Sequence, residues 1–243
     1  MKGKIKRMRV FAGPNGSGKT TIMATVKSKV NIGVYINADD IEKSLKTNNV
    51  LPFNDYSIKV NIDTIKDFFR YSRFSPIKTN TPDLWQKITI QNNCLTISTP
   101  INSYIAADIA EFLRLQMLEN GISFTYETVM SHKSKIDFMQ RAQEFVYRVY
   151  LYYVATEDPE INTNRVELRV AQQGHPVSKE IIEARYYKSL ENLKSAVLAT
   201  HRAYIFDNSG KASKLIAEIT NSKEVNIVDD KVPDWFIKYL YLH

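Results

Sequence analysis

The sequence predicts an α/β protein built on a mostly parallel sheet. Three observations predict it. Short apolar runs alternate with amphipathic stretches along most of the chain. One of these runs, Met8 to Ala12, passes through a glycine-rich loop directly into a helical pattern. No internal repeat or low-complexity tract interrupts the alternation. Composition agrees, since 243 residues with 44% hydrophobic and 24% charged side chains can bury a sizeable core and exclude wholesale disorder. Gly and Pro number 8 each, which excludes a collagen-like or linker-like chain. No apolar run approaches the roughly 18 residues of a membrane span. The basic start, Met1 to Arg7, is followed by no long apolar stretch, so no secretory leader is expected. A single cysteine, Cys94, excludes an intrachain disulfide and suits a cytoplasmic home. The net charge of +7 favours anionic partners such as nucleotides, phosphosugars or nucleic acid, without choosing among them.

The elements follow in order. Met8 to Ala12 reads as a buried strand, and Lys19 to Val30 as a helix. Val34 to Ile36 is a second short strand ending in Asn37-Ala38-Asp39-Asp40. Between about 46 and 100 the pattern is less regular. Ile58, Ile62, Ile65 and Phe69 recur at helical spacing. Lys87 to Gln91 and Cys94 to Ser98 alternate about Asn92-Asn93, which predicts a β-hairpin. Ile101, Tyr104, Ile105, Ile109, Phe112, Leu113 and Met117 mark one face of a helix that Asn120-Gly121 stops. Ile122 to Tyr126 is a strand ending at Glu127-Thr128, and Ile136 to Phe145 a helix. Val146 to Ala155 is an aromatic strand and Asn162 to Gln173 a helix, which Gly174-His175-Pro176 breaks. Ser178 can cap a further helix running to about Ala199. Tyr204 to Phe206 is a last strand, followed by Asp207-Asn208-Ser209-Gly210. The tail from Val232 to His243 reads as an amphipathic helix that packs on the core or offers a partner surface. The organisation expected is one domain over 1–243 with an insertion at about 46–100.

Gly13-Pro14-Asn15-Gly16-Ser17-Gly18-Lys19-Thr20 fits the phosphate-loop pattern in full, between a strand and a helix. The glycines let backbone N–H groups form an anion nest, and the following helix points its positive end at the phosphates. Lys19 reaches the outer phosphates as a mobile charge, and Thr20 supplies a hydroxyl to Mg²⁺. The loop predicts binding of a nucleoside triphosphate with magnesium, Thr21 included in the site. The short chain and its scattered carboxylates suit a small-molecule kinase better than a motor.

Strand ends in a parallel sheet face the ligand crevice. Asp39 and Asp40 lie there, and either can accept a proton from an acceptor hydroxyl or cap the helix that follows. Glu127 can hold a magnesium-bound water, orient the acceptor, or brace the loop. Glu111, on the flank of the 101–119 helix, reads by itself as a solvated charge. Arg165 and Arg169 share one helix face at a spacing of four, where they suit a triphosphate or plain solvent. Arg185, one helix later, can join them. His175 reads as a turn residue, and no Cys/His cluster resembles a metal site.

The ordered set of motifs resembles the zeta-toxin-type P-loop kinases, in particular their chromosomal stand-alone branch, often called predicted ABC-type ATPases. It comprises GPNGSGKTT at 13–21, INADDI at 36–41, FTYETVMS at 124–131, NRVELRVAQQGHPV at 164–177, RYYKSLENL at 185–193 and YIFDNSG at 204–210. The resemblance covers roughly 1–45 and 101–210. It implies a three-layer P-loop kinase fold with a parallel sheet of about five strands. It also implies ATP- and Mg²⁺-dependent phosphorylation of a sugar hydroxyl, in the toxins that of UDP-N-acetylglucosamine. Asp39 then corresponds to the general base, with Asp40 one step out of register. Glu111, counted back from Glu127, falls at a substrate-binding glutamate, and Glu127 and Thr128 lie beside it. Arg165, Arg169 and Arg185 fall where the family has its lid arginines, and Asn208 lies on the nucleotide side. Val129 stands where the toxins have a threonine for the nucleotide-sugar, and 46–100 is an insertion. An antitoxin-like protein partner is implied, and a membrane is not. Two other readings use the same loop: a nucleotide-dependent regulatory module, and a nucleic-acid-associated ATPase or polynucleotide kinase suggested by the positive charge.

Overall fold

A computed structural model describes residues 5–171 and 177–240. Its elements begin with β1 (Arg7–Ala12), α1 (Lys19–Lys27), β2 (Val34–Ile36), α2 (Ala38–Asn48) and β3 (Leu51–Pro52). Next come α3 (Ile62–Tyr71), α4 (Ser75–Lys78), β4 (Ile88–Gln91), β5 (Cys94–Ile97) and α5 (Ser103–Glu119). Then follow β6 (Phe124–Thr128), α6 (Ser134–Glu144), β7 (Arg148–Ala155), α7 (Pro159–Ala171), α8 (Lys179–Glu191) and α9 (Leu193–Leu198). The chain closes with β8 (Arg202–Asp207), β9 (Lys214–Thr220), β10 (Glu224–Ile227) and α10 (Asp234–Leu240). It divides into two compact units, residues 1–32 with 125–243, and residues 33–124. No helix among the described residues is long and apolar enough to cross a membrane.

In the first unit the strands run in the order β10-β9-β8-β7-β1-β6. Pairing is parallel between β1 and β7 and between β7 and β8, in the register Phe11 to Tyr152 and Tyr152 to Tyr204. Those three rings stack in series, with centroids 4.6 and 5.0 Å apart. Val10, Leu151, Tyr153 and Ile205 are fully buried in this sheet. The sheet is larger than the five strands expected, because β9 and β10 extend it antiparallel beyond β8, the last strand that the apolar pattern predicts. The turn joining them, Asn221-Ser222, has both residues at positive φ but lacks the glycine that marks such turns in a sequence. The helix expected from 178 to about 199 is broken at Asn192, whose side-chain amide donates to Met130 O at 2.9 Å. Ser178 holds the N-cap position of α8 without a side-chain cap bond. The tail helix α10 buries Trp235, Phe236 and Leu240, and Trp235 Nε1 donates to Asp207 Oδ2 at 3.0 Å.

The second unit has its own core. Asn37 caps α2, accepting the Asp39 N–H at 2.8 Å, and α2 packs along α5. The insertion folds as a three-stranded sheet, β3-β5-β4, beside α3 and α4. The β4–β5 hairpin turns at Asn92 and Asn93, with φ of 51° and 60°. Phe53, Phe69 and Phe112 are buried, and Phe68 lies edge-on to Phe69 and Phe112 at 5.4 and 5.5 Å. Asp108 of α5, itself buried, accepts from Ser72 Oγ, Ser75 N and Ser75 Oγ at 2.7, 3.0 and 2.6 Å, pinning the start of α4. At the insertion's surface, the Arg70 guanidinium lies 4.2 Å above the Trp85 ring.

Candidate active site

Residues 13–18 link β1 to α1, and the backbone there requires glycine. Gly13 has φ 139°, and a Cβ on it would lie 2.0 Å from Val154 O. Gly16 has φ 73°, and a Cβ there would lie 2.4 Å from Asn162 O. The loop is a fitted backbone cradle of the kind that binds phosphate at a helix N-terminus. Lys19, the first residue of α1, folds its ammonium across the loop and donates to Gly13 O and Pro14 O at 2.9 and 2.8 Å. Ser17 Oγ and Asn15 Oδ1 are buried without a hydrogen-bond partner among the described residues. Such orphaned groups are expected where a polar ligand completes the set.

Three neighbours brace this loop. Gly13 N donates to Thr128 O at 3.3 Å, and the Thr128 hydroxyl accepts Met130 N at 3.1 Å. Asn208, half-buried just past β8, donates its amide to Ser17 O at 2.8 Å. Its turn is held by Asp207, which accepts Ser209 N, Ser209 Oγ and the Trp235 indole. Asn162, fully buried on α7, donates to Asn15 O at 2.5 Å. Sequence reasoning missed Asn162 and Thr156. The one available signal was an asparagine one turn before Arg165 on the same helix.

Thr20 Oγ1 donates to Glu127 Oε2 at 3.2 Å, so the strand-end carboxylate and the loop hydroxyl meet. This pair of hard oxygen groups fits Mg²⁺, which takes one or two protein ligands beside phosphate oxygens and water. No group of three or more His, Cys, Asp or Glu among the described residues could hold a metal by itself. Arg165 is half-buried, its NH1 nitrogen without a hydrogen-bond partner among the described residues, whereas Arg169 and Arg185 are exposed. Thr21 is exposed on the first turn of α1. His175 lies outside the described residues.

The first unit thus brings together the loop, Glu127, Thr128, Asn162 and Asn208, and carries Arg165 one turn after Asn162 on α7. Asp39, Asp40 and Glu111 belong to the second unit. With Asn37 as the cap, Asp39 and Asp40 stand exposed in the first turn of α2. In the insertion, the Tyr56 phenol is pushed up to about 12 by burial and then by the charges of Asp55 and Asp40. Glu111 is half-exposed on α5, with Arg114 NH2 at 3.5 Å.

The Zeta toxin family model matches residues 102–218. An uncharacterized protein of Haemophilus influenzae is 33% identical over 69 residues, which cover 28% of this chain and 49% of that protein. Among solved structures, the native AvrRxo1-ORF1:-ORF2 complex aligns with a TM-score of 0.52 at 13% identity, and the same complex with ATP at 0.50 and 14%. Each alignment covers 93% of this chain and 61% of the other. The chain therefore spans about half to three fifths of the length of these relatives, and the solved ones share its fold. The segment 102–218 is therefore similar to the Zeta toxin family, and it lies in a chain whose complete phosphate loop sits in the strand–helix setting of a P-loop fold.

Proposed function

We propose that the protein transfers the γ-phosphoryl group of ATP, with Mg²⁺, to a hydroxyl of a small acceptor, a sugar hydroxyl as in UDP-N-acetylglucosamine. The observation that carries this reading is the complete phosphate loop with Thr20 directed at Glu127. The solved relative with ATP supports the choice of nucleotide. Loop N–H groups from Gly13 to Thr20 and the Lys19 ammonium hold the phosphates, with Thr21, Arg185 and Asn208 on the nucleotide. Thr20 holds Mg²⁺, and Glu127 orients the water or acceptor beside it. The ion supplies charge neutralisation at the phosphate oxygens. Asp40, Glu111 and Thr128 contact the acceptor. Asp39 takes the acceptor proton as the acceptor oxygen bonds to the γ-phosphorus. The bond from that phosphorus to the bridging oxygen breaks, and ADP leaves. Arg165 and Arg169 stabilise the charge that moves onto the leaving group. The organisation that goes with this reading is a single kinase-like domain carrying an insertion at 46–100, working in the cytoplasm. An antitoxin-like partner fits the likeness of this fold to the two-component AvrRxo1-ORF1:-ORF2 complex.

The test is a transfer assay with ATP and Mg²⁺, offering UDP-N-acetylglucosamine and a small-metabolite extract, with products read by mass. One added phosphate on an acceptor is expected. Asp39→Asn should lower turnover about 10²- to 10⁴-fold, the usual worth of a general base, with ATP affinity unchanged within about threefold. Full turnover in that variant removes Asp39 as the base. ATP binding with no product from any pool replaces the kinase with a nucleotide-dependent regulatory module.

A further inference from the structure

We infer that Thr156 and Asn162 form a joint that sets both arginine helices against the phosphate loop, and that they are positioning residues for the transfer. This rests on the phosphoryl-transfer reading above. Thr156, buried one residue beyond β7, holds two helices at once. Its hydroxyl donates to Asn162 Oδ1 of α7, and its carbonyl accepts the Tyr186 hydroxyl of α8 at 2.6 Å. Asn162 then donates its amide to Asn15 O of the loop. The amide can be oriented only one way, because reversing it would set its oxygen against the Asn15 carbonyl. A chain of bonds therefore runs from α8 through the end of β7 and α7 to the top of the loop.

The arginines ride on this chain. Arg165 and Arg169 follow Asn162 by three and seven residues, so all three share a helix face. Arg185 precedes Tyr186 directly. The buried Arg165 nitrogen makes no hydrogen bond to the described residues, so Arg165 does not fix its own helix. Asn162 does, and the missing Cβ at Gly16 lets the α7 backbone sit directly on the loop. Phosphoryl transfer is sensitive to such registration, since a misplacement of about 1 Å can cost about 10²-fold in rate.

Thr156→Val keeps the shape and removes the hydroxyl, Thr156→Ser restores it, and Asn162→Ala removes the link. We expect Thr156→Val and Asn162→Ala to lower kcat about 10- to 100-fold, with KM for ATP changed less, and Thr156→Ser to stay within about threefold of wild type. In an Arg165→Ala background the same two substitutions should cost less than the product of the single losses, because part of their effect passes through Arg165. Losses that multiply with Arg165→Ala, or a lower melting temperature with kcat intact, overturn the inference. A second measurement needs no turnover: hydrogen exchange of α7 with and without a non-hydrolysable ATP analogue and Mg²⁺. Nucleotide should slow exchange across α7 in the wild type and not in Asn162→Ala. If that holds while wild type transfers nothing, the joint stands and the kinase reading falls. If nucleotide leaves α7 exchange unchanged in the wild type, the joint is overturned.

Discussion

At Gly16 a single methyl decides whether the loop can close. Its Cβ would meet the Asn162 carbonyl at 2.4 Å, and φ of 73° already strains an L-residue. Gly16→Ala should raise the Kd for ATP at least about tenfold and lower the melting temperature, because loop or helix must retreat. A titration in which this variant binds ATP like wild type would show that the close approach is dispensable. The loop residues were legible because their pattern is a backbone requirement written in glycines. Glu127 was legible as a strand-end carboxylate, its hydrogen bond to the loop being one of three roles left open. Asn208 was legible as a residue but not as the brace on Ser17. Asn162 was invisible for a physical reason. Helical periodicity marks apolar positions, and a buried asparagine reads as solvent-facing until its partner, 147 residues away, is known. At α2 the alternative of capping left open for Asp39 and Asp40 falls away, since Asn37 takes that role.

Among the elements, the insertion's hairpin makes the sharpest case. Turn chemistry alone says that Asn93→Gly should stabilise, because Asn-Gly is the best pair for this turn. The structure says otherwise. The Asn93 amide donates to Asn54 Oδ1 and Ile58 O at 2.7 and 2.8 Å, and its oxygen accepts Val60 N at 3.2 Å. At roughly 1 kcal/mol net for each bond, Asn93→Gly should cost about 2–3 kcal/mol. The shift in urea midpoint at unchanged m measures this, and a more stable variant would sink the account. The hairpin itself was legible from alternation about two asparagines. Its use as a clamp on residues 54–60 was not, since side-chain bonds across 33 or more residues leave no periodic trace. The strands β9 and β10 escaped for the complementary reason that their turn carries no glycine.

Across the molecule, the buried tyrosines set a limit on alkaline stability. Tyr56 and Tyr147 are pushed up to about 12, burial being the largest cause, and Tyr153 and Tyr186 are raised as well. Their folded-state pKa lies above the unfolded value near 10, so their contribution is complete below pH 10 and lost as pH rises towards 12. The melting temperature should fall across that window, and absorbance of ionised tyrosine should rise together with loss of the fold. Tyrosines that all ionise near pH 10 in a still-folded protein would contradict this. The division into two units was not legible, because one boundary, 32–33, lies just before β2 and the other, 124–125, falls within β6, neither in a Pro- or Ser-rich linker.

The two tryptophans of the chain fall one to a unit, Trp85 beneath Arg70 and Trp235 on Asp207, the neighbour of the asparagine that grips Ser17. Intrinsic fluorescence therefore comes already partitioned. With Trp85→Phe, the remaining emission reports the first unit and, through the Asp207–Asn208 turn, nucleotide arriving at the loop. With Trp235→Phe, it reports the second unit, so the two halves can be followed optically in one chain without any attached dye.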